Sequence, residues 1–238
     1  MRYIILISVF FISNVFHGQK ITAEELLDKA IQFHDPNNQW KTLDGAFNVL
    51  MKTPKSSDRL STIQINIPKQ YFSLEVKKDD ASYTYTFNKE VCTTSLNGSS
   101  EVSDKDRETY RLTCERGGMM KNYYTYLYGL PMKIKDPGTI LHDEVRTKTF
   151  KGKEYLVLKV NYEERVGKDV WYFYFDPNTY AMEVYQFYHD ESKNDGEYIL
   201  LEGLEEVEGI KMPKTRAWYY NKDDKYLGTD ILSQAGAE

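Results

Sequence analysis

Hydrophobic and polar positions alternate with a period of two along much of this chain. The clearest runs are 63–67 and 72–76, in which every second residue is Ile, Phe, Leu or Val. Alternation of this kind is typical of strands that bury one face. Segments rich in turn-forming residues separate successive runs. The pattern therefore predicts five sequential strands, joined as a meander, between about residues 46 and 96.

Helical spacing appears at the start and in the middle of the chain. Thr22 and Glu25 form a capping box that predicts a helix ending near residues 35–36, where a proline disfavours helical backbone. Ser103 caps a second predicted helix, which the glycine pair at 117–118 interrupts. A third helix is predicted from Met119 to Tyr128. Its apolar residues cover more than one stripe, so it is either plain core or a lid over something apolar.

The strand rhythm resumes after residue 138 and predicts roughly six more strands, about eleven in all. The fold class expected is mainly β with covering helices, an antiparallel and incompletely closed half-barrel with an N-terminal helix and a central helical insert. The stretch 171–189 predicts a central hairpin that turns at 176–179. Proline at the second position suits a type I turn, and the carboxylate of Asp176 can accept hydrogen bonds from the following backbone N–H groups.

The hairpin register follows from the assumed loop. If residues 176–179 are the whole loop, Phe175 faces Tyr180, Phe173 faces Met182, and Trp171 faces Val184. One face is then wholly apolar. The other face carries tyrosines and one acid, and its members are Tyr172, Tyr174, Ala181, Glu183 and Tyr185. Neither face is polar enough to lie wholly in water, so we expect both to contact protein or a ligand.

Composition limits the class of protein. The 238 residues carry a formal net charge of −5 with 41% hydrophobic residues, including 20 tyrosines and 11 phenylalanines. The length predicts a single half-barrel domain over residues 19–238. The acidic balance, without a basic stripe, argues against a nucleic-acid partner.

Residues 1–18 have the pattern of a cleaved signal peptide. Arg2 precedes an apolar run from Tyr3 to Ile12 that is too short to span a bilayer comfortably. An uncleaved anchor is the alternative. The pattern predicts a periplasmic or secreted protein that is not an integral membrane protein.

Cys92 and Cys114 are the only cysteines. In an exported chain, a single pair favours a disulfide. The alternative is two small buried side chains that never meet.

Candidate chemistry is sparse. Three histidines precede acidic residues, at positions 34, 142 and 189, but adjacent strand residues point to opposite faces, and no metal-binding motif is present. We therefore predict no metal, cofactor or catalytic residue. Glu183 lies among tyrosines in the predicted hairpin. Its carboxylate either accepts their hydrogen bonds structurally or binds a polar head group.

The order of elements resembles the Lol-type periplasmic lipoprotein carriers, the LolA-like superfamily. Two stretches carry the resemblance, the Phe-Asp-Pro-x-Thr turn at 175–179 and the segment 122–139. The second stretch looks closest to a family of uncharacterised secreted proteins of bacteria with two membranes. The turn has Tyr180 where the carriers often have glycine. The resemblance implies an open barrel whose concave face is apolar and covered by helices.

The resemblance and the residues together predict a carrier that holds a lipid or acyl chain between the sheet and a helical lid, with a cell-envelope protein as a further candidate partner. The predicted apolar lining is Trp171, Phe173, Phe175, Met182, Val184, Met119, Tyr123 and Leu127. Glu183 is the candidate for the polar head group. The alternative is a non-catalytic interaction module with a filled interior, and an enzyme is the third reading.

Overall fold

The computed structural model describes residues 20–236, so the predicted signal peptide lies outside the described residues. The described chain forms one antiparallel sheet of thirteen strands. One α-helix precedes the first strand, and two α-helices lie between the fifth and sixth strands in sequence. The strands are β1 (Asp44–Thr53), β2 (Ser56–Asn66), β3 (Tyr71–Lys78), β4 (Ala81–Asn88), β5 (Val91–Leu96), β6 (Thr139–Leu141), β7 (Arg146–Phe150), β8 (Lys153–Tyr162), β9 (Val170–Phe175), β10 (Met182–Tyr188), β11 (Glu197–Val207), β12 (Ile210–Tyr220) and β13 (Tyr226–Gln234). The helices are α1 (Ala23–His34), α2 (Asp104–Thr109) and α3 (Cys114–Tyr128).

The sheet is open, and β1 and β13, the first and last strands along the chain, pair with each other in its middle. Its order is β5-β4-β3-β2-β1-β13-β12-β11-β10-β9-β8-β6, with β7 also paired to β8. The predicted fold class is confirmed. Thirteen strands exceed the predicted eleven by two, and one of the two arises because residues 142–145 leave the sheet and divide one predicted strand into β6 and β7.

Helix α1 begins and ends where its caps predict. Glu25 N–H donates to Thr22 Oγ1 (3.2 Å), and Thr22 N–H donates to Glu25 Oε2 (2.9 Å), which completes the capping box. Its buried residues belong to the same apolar cluster as those of α3, so both helices cover one face of the sheet. No helix within residues 20–236 has both the length and the apolar character needed to cross a membrane.

Helix α3 runs without a break through the glycine pair, so the predicted interruption at 117–118 is wrong. A Cβ on Gly117 would lie 2.9 Å from the Tyr85 ring and 3.1 Å from the Phe87 ring. Glycine is therefore used here for close packing of the helix on β4 rather than for a turn. Gly129 follows the last helical residue, as predicted.

The disulfide joins Cys92 of β5 to Cys114 at the first turn of α3, with Cα atoms 5.9 Å apart. The separation lies inside the range that a disulfide requires, about 4.4–6.8 Å. The bond ties the N-terminal end of α3 to the edge of the sheet.

Candidate functional site

The hairpin of β9 and β10 has a different register from the one predicted. Phe175 pairs with Met182, but Phe173 pairs with Tyr185 because the register shifts by one residue between Met182 and Val184. The loop is longer than four residues, and Tyr180 has a left-handed backbone conformation with φ of 64°. The shift places Tyr185 on the helix-covered face and moves Val184 to the other face.

Asp176 organises the loop as the sequence predicts. Its Oδ1 accepts hydrogen bonds from the backbone N–H groups of Asn178 (2.9 Å) and Thr179 (2.8 Å). Its other oxygen lies 2.7 Å from Lys153 Nζ. These contacts hold the pKa of Asp176 well below its usual range, with the Lys153 contact as the largest cause.

The predicted site residues on the uncovered face of the sheet already have partners within the protein. Val184 packs in a small second cluster with Tyr155, Val157 and Tyr174. Both oxygens of Glu183 accept hydrogen bonds from Lys153 Nζ, at 2.8 and 2.7 Å. The structure therefore places Val184 and Glu183 on the opposite side of the sheet from the covering helices, where neither can face the concave interior.

An aromatic row links the sheet to α3 across the covered face. We define it as Tyr126, Trp171, Tyr185, Trp218 and Tyr123. Ring centroids are 5.4 Å apart from Tyr126 to Trp171, 6.0 Å from Trp171 to Tyr185, 6.2 Å from Tyr185 to Trp218, and 6.3 Å from Trp218 to Tyr123. The row thus starts on the helix, crosses strands β9, β10 and β12, and returns to the helix.

A cleft opens at each end of the aromatic row. The first, the hairpin cleft, has a volume of about 460 Å³. Its floor and walls include Tyr126, Trp171, Tyr162 and Val166. Its remaining lining is more polar and includes Asn122, Thr125, Lys133, Asp136, Pro137, Thr139, Arg165, Gly167 and Asp169. The hydroxyls of Tyr126 and Tyr162 form a short hydrogen bond inside it.

The second cleft, the β13 slot, is smaller, with a volume of about 230 Å³. It lies between α3 and the strands in the middle of the sheet, and most of its wall is apolar. Its lining is Met51, Thr53, Tyr123, Trp218, Leu227, Gly228 and Asp230. Asp230 is the only charged side chain of that lining.

The other predicted lining residues divide into buried and exposed groups. Phe173, Phe175, Met182 and Leu127 lie within the main apolar cluster beneath α3. Met119, in contrast, is 57% exposed. The predicted meeting of the hairpin face with α3 is present, but side chains fill the space directly between them.

A group of buried polar side chains lies under the aromatic row. Arg216 is 1% exposed, and its guanidinium lies 3.9 Å from the centre of the Tyr128 ring. Arg216 Nη1 donates to the carbonyl of Pro213 (2.8 Å). Asp230 is its cross-strand neighbour and accepts a hydrogen bond from Trp218 Nε1 (3.2 Å). Burial raises the pKa of Asp230.

The three histidines do not converge. His34 Nδ1 lies 2.6 Å from the carbonyl oxygen of Lys211, and its Nε2 accepts the backbone N–H of Met182 (2.9 Å). His142 bonds Asn161, and His189 bonds Asp169. Residues 20–236 contain no group of three or more metal-binding side chains. His34 instead fastens α1 to the hairpin.

The environment of His34 predicts acid sensitivity. Burial lowers its pKa from 6.5 to about 4. As the pH falls below about 6.5, His34 becomes protonated in the unfolded chain, whereas in the folded protein it stays neutral until about pH 4. Stability should therefore fall by at most about 3 kcal/mol across that window and no further from this group below it. Urea unfolding at a series of pH values checks this.

The matched variants are His34→Gln, which removes the titration, and His142→Gln, which alters an exposed histidine. We expect the acid-dependent loss to shrink in the first and to persist in the second. An identical pH dependence in wild type and His34→Gln would contradict the assignment.

Several residues of the site were not predicted. Tyr126, Tyr162, Trp218, Arg216 and Asp230 lie on segments whose pattern indicated only strand or helix. Tyr185 was assigned to the wrong face. The register shift that moves Tyr185 lies between Met182 and Val184, after the loop, so predicting the longer loop alone would not have corrected its face.

Comparison with known proteins gives a family. A model for a family of unknown function, DUF6503, matches residues 1–234. The chain belongs to this family. No curated protein matches this DUF6503 chain.

Solved structures similar to the DUF6503 protein are distant in sequence. A LolA superfamily protein from Nitrosomonas europaea matches with 13% identity and a TM-score of 0.49, covering 90% of this chain and 93% of its own. A DUF1329 family protein from Desulfovibrio piger matches with 8% identity and a TM-score of 0.50, covering 91% of this chain and 95% of its own. A LolA superfamily member is thus among the matches, and at these identities the likeness concerns the fold alone.

Proposed function

We propose that this DUF6503 protein is a periplasmic or secreted binding protein that carries a lipid or acyl chain between its sheet and α3. The observation that supports this most is the aromatic row with a cleft at each end. An apolar chain laid along the row would contact ring faces throughout and have an opening at both ends.

The hairpin cleft is large enough to receive the first part of such a ligand. Ligand sites typically start at about 300 Å³, and this cleft exceeds that volume. Trp171 and Tyr126 supply apolar surface at its floor. The charged side chains of Lys133, Arg165 and Asp169 line other parts of the same cleft. The cleft therefore suits a ligand that has both apolar and polar parts.

Between the clefts, the rings of Tyr123 and Tyr185 occupy the path of the chain. Tyrosine has an apolar body with a polar tip, so the partly buried ring of Tyr123 can turn outward and place its hydroxyl in water, whereas Tyr185 is completely buried. Binding would displace Tyr123 and Tyr126 with the later turns of α3, while the disulfide holds the first turn to β5. Gly118, at which an added Cβ would meet nothing within 4 Å, lies between the fixed and the moving parts of the helix.

This role is non-catalytic, and it leaves two kinds of partner, an acylated ligand and a cell-envelope protein that delivers or receives it. The polar end of the ligand is not assigned to Glu183, because Lys153 already binds that carboxylate on the other face.

Truncation of Trp171 tests the proposal. We expect Trp171→Ala to weaken binding of a fluorescent sixteen-carbon acyl probe at least about tenfold, a loss of about 1.4 kcal/mol, because one face of the hairpin cleft disappears. Tyr172→Ala is the matched control. It removes the next ring along β9, which packs with the second cluster on the opposite face, and should leave affinity within about twofold.

Equal effects of the two substitutions would contradict a site on the covered face. If the wild-type protein does not bind the probe at all, the side chains between the sheet and α3 do not move aside for a ligand. The protein would then be an interaction module on the same scaffold.

A further inference from the structure

Arg216 has no close ionic partner in the buried polar group. Asp230, its cross-strand neighbour, is the buried acid of the group, and Arg59 is a partly buried arginine that also lies near it. No carboxylate of residues 20–236 lies within 4.0 Å of the Arg216 guanidinium. A fully buried cation normally has a paired anion, since desolvating an unpaired charge costs several kcal/mol. The guanidinium of Arg216 is therefore buried without a carboxylate of residues 20–236 in direct contact.

Unused hydrogen-bonding atoms surround the same charge. Within residues 20–236, neither Arg216 Nε nor the hydroxyls of Tyr128 and Tyr185 have a hydrogen-bond partner. Arg59 Nε also lacks one, although its Nη2 lies 3.4 Å from the Tyr124 hydroxyl. Buried polar groups in native proteins are almost always paired. An oxygen anion would supply the acceptor that Arg216 Nε and the two tyrosine hydroxyls lack.

Other nearby groups cannot supply the missing charge. His34 is neutral near pH 7, because burial lowers its pKa to about 4. Burial raises the pKa values of Tyr128 and Tyr185, so both remain neutral phenols. An anion in direct contact with Arg216 would therefore come from outside residues 20–236.

The geometry also indicates the path by which an anion would arrive. Tyr185, whose hydroxyl has no partner, is the central member of the aromatic row. The β13 slot ends at Asp230, the cross-strand neighbour of Arg216. The charge thus lies beneath the middle of the row, between the two clefts.

We propose that Arg216, with the hydroxyls of Tyr128 and Tyr185, binds the carboxylate head group of a long-chain fatty acid whose hydrocarbon chain lies along the aromatic row. A guanidinium presents a planar fork of donors that matches the two oxygens of a carboxylate. The assignment rests on the proposed function, because the hydrocarbon chain uses the same row.

The test compares hexadecanoate with hexadecan-1-ol, which has the same chain length but no charge, as competitors of the fluorescent probe. The wild-type protein should bind hexadecanoate at least about tenfold more tightly than the alcohol. Arg216→Met should reduce that preference to within about twofold while retaining binding of the alcohol. Arg146→Met, which removes an exposed charge outside the site, should keep the full preference.

Two further measurements separate the outcomes. Arg216→Met loses the hydrogen bond to Pro213 and the contact with the Tyr128 ring, so its thermal midpoint is measured first, and retained binding of the alcohol shows that the folded site persists. If Arg216→Met does not fold, the wild-type comparison alone decides. Acetate at the same concentration as hexadecanoate should not displace the probe, which would attribute the binding to a fatty acid rather than to a free carboxylate.

Equal affinity of wild type for hexadecanoate and the alcohol would overturn this inference and leave the proposed function intact. A preference that persists in Arg216→Met would also overturn it. Failure of both ligands to bind would reject the proposed function itself.

Discussion

Replacing Phe173 with alanine should destabilise the protein by about 3–5 kcal/mol, the largest effect that we expect from a single substitution. The ring is completely buried, lies 5.9 Å from Trp171 and pairs across the hairpin with Tyr185. Its removal leaves a cavity in a packed interior that the stiff surrounding strands cannot close. Urea unfolding of the ligand-free protein measures the loss.

The size of that loss also distinguishes two states of the interior. A loss below about 1.5 kcal/mol would show that the space around Phe173 adapts easily, as for a ring that borders a ligand path. Tyr172→Ala, one residue earlier and on the other face, controls for the general effect of removing a ring from β9.

Loss of the disulfide should cost about 2–4 kcal/mol. The bond closes a loop with a sequence separation of 22 residues. Without it the unfolded chain gains freedom, and the first turn of α3 loses its covalent link to β5. The Cys92→Ser, Cys114→Ser double variant should therefore unfold at lower urea concentration than the oxidised wild type.

Reduced wild-type protein is the control for the chemistry of the substitutions themselves and should match the double variant. Unchanged stability in both would mean that α3 stays in place through its apolar contacts alone, and the disulfide would then have no role as a tether.

The order of elements could be predicted because each depends on local chemistry. The capping box at Thr22, the cap at Ser103 and the alternation in β2 and β3 all act within a few residues. The disulfide was predictable for a different reason, since the chain has no other cysteine with which either partner could pair.

The site was harder to predict because it depends on register and on packing between distant segments. The hairpin loop extends through Tyr180, whose backbone is left-handed, and a register shift between Met182 and Val184 exchanges the faces of Val184 and Tyr185. Gly117 looked like a helix break, whereas its meaning comes from the rings of Tyr85 and Phe87 on β4. Neither effect can be read from the neighbouring residues alone.

The burial of the Arg216 cation could not be predicted from the sequence for a related reason. Arg216 lies in a strand with other charged residues and looks like a solvent-facing side chain. Its burial follows from the cover that α3 provides, chiefly the Tyr128 ring that lies against the guanidinium. Residues brought together by a covering helix are the least accessible to reasoning along the chain.

The most direct test of ligand carriage is photocrosslinking with an uncharged sixteen-carbon alcohol that carries a diazirine in the middle of its chain. We predict that mass spectrometry will find the label in peptides containing residues 123–126 of α3, Trp171 and Trp218, and that Trp171→Ala will reduce it. Labelling confined to β7 and to the outer-face residues Tyr155 and Tyr172, or no labelling at all, would contradict the account.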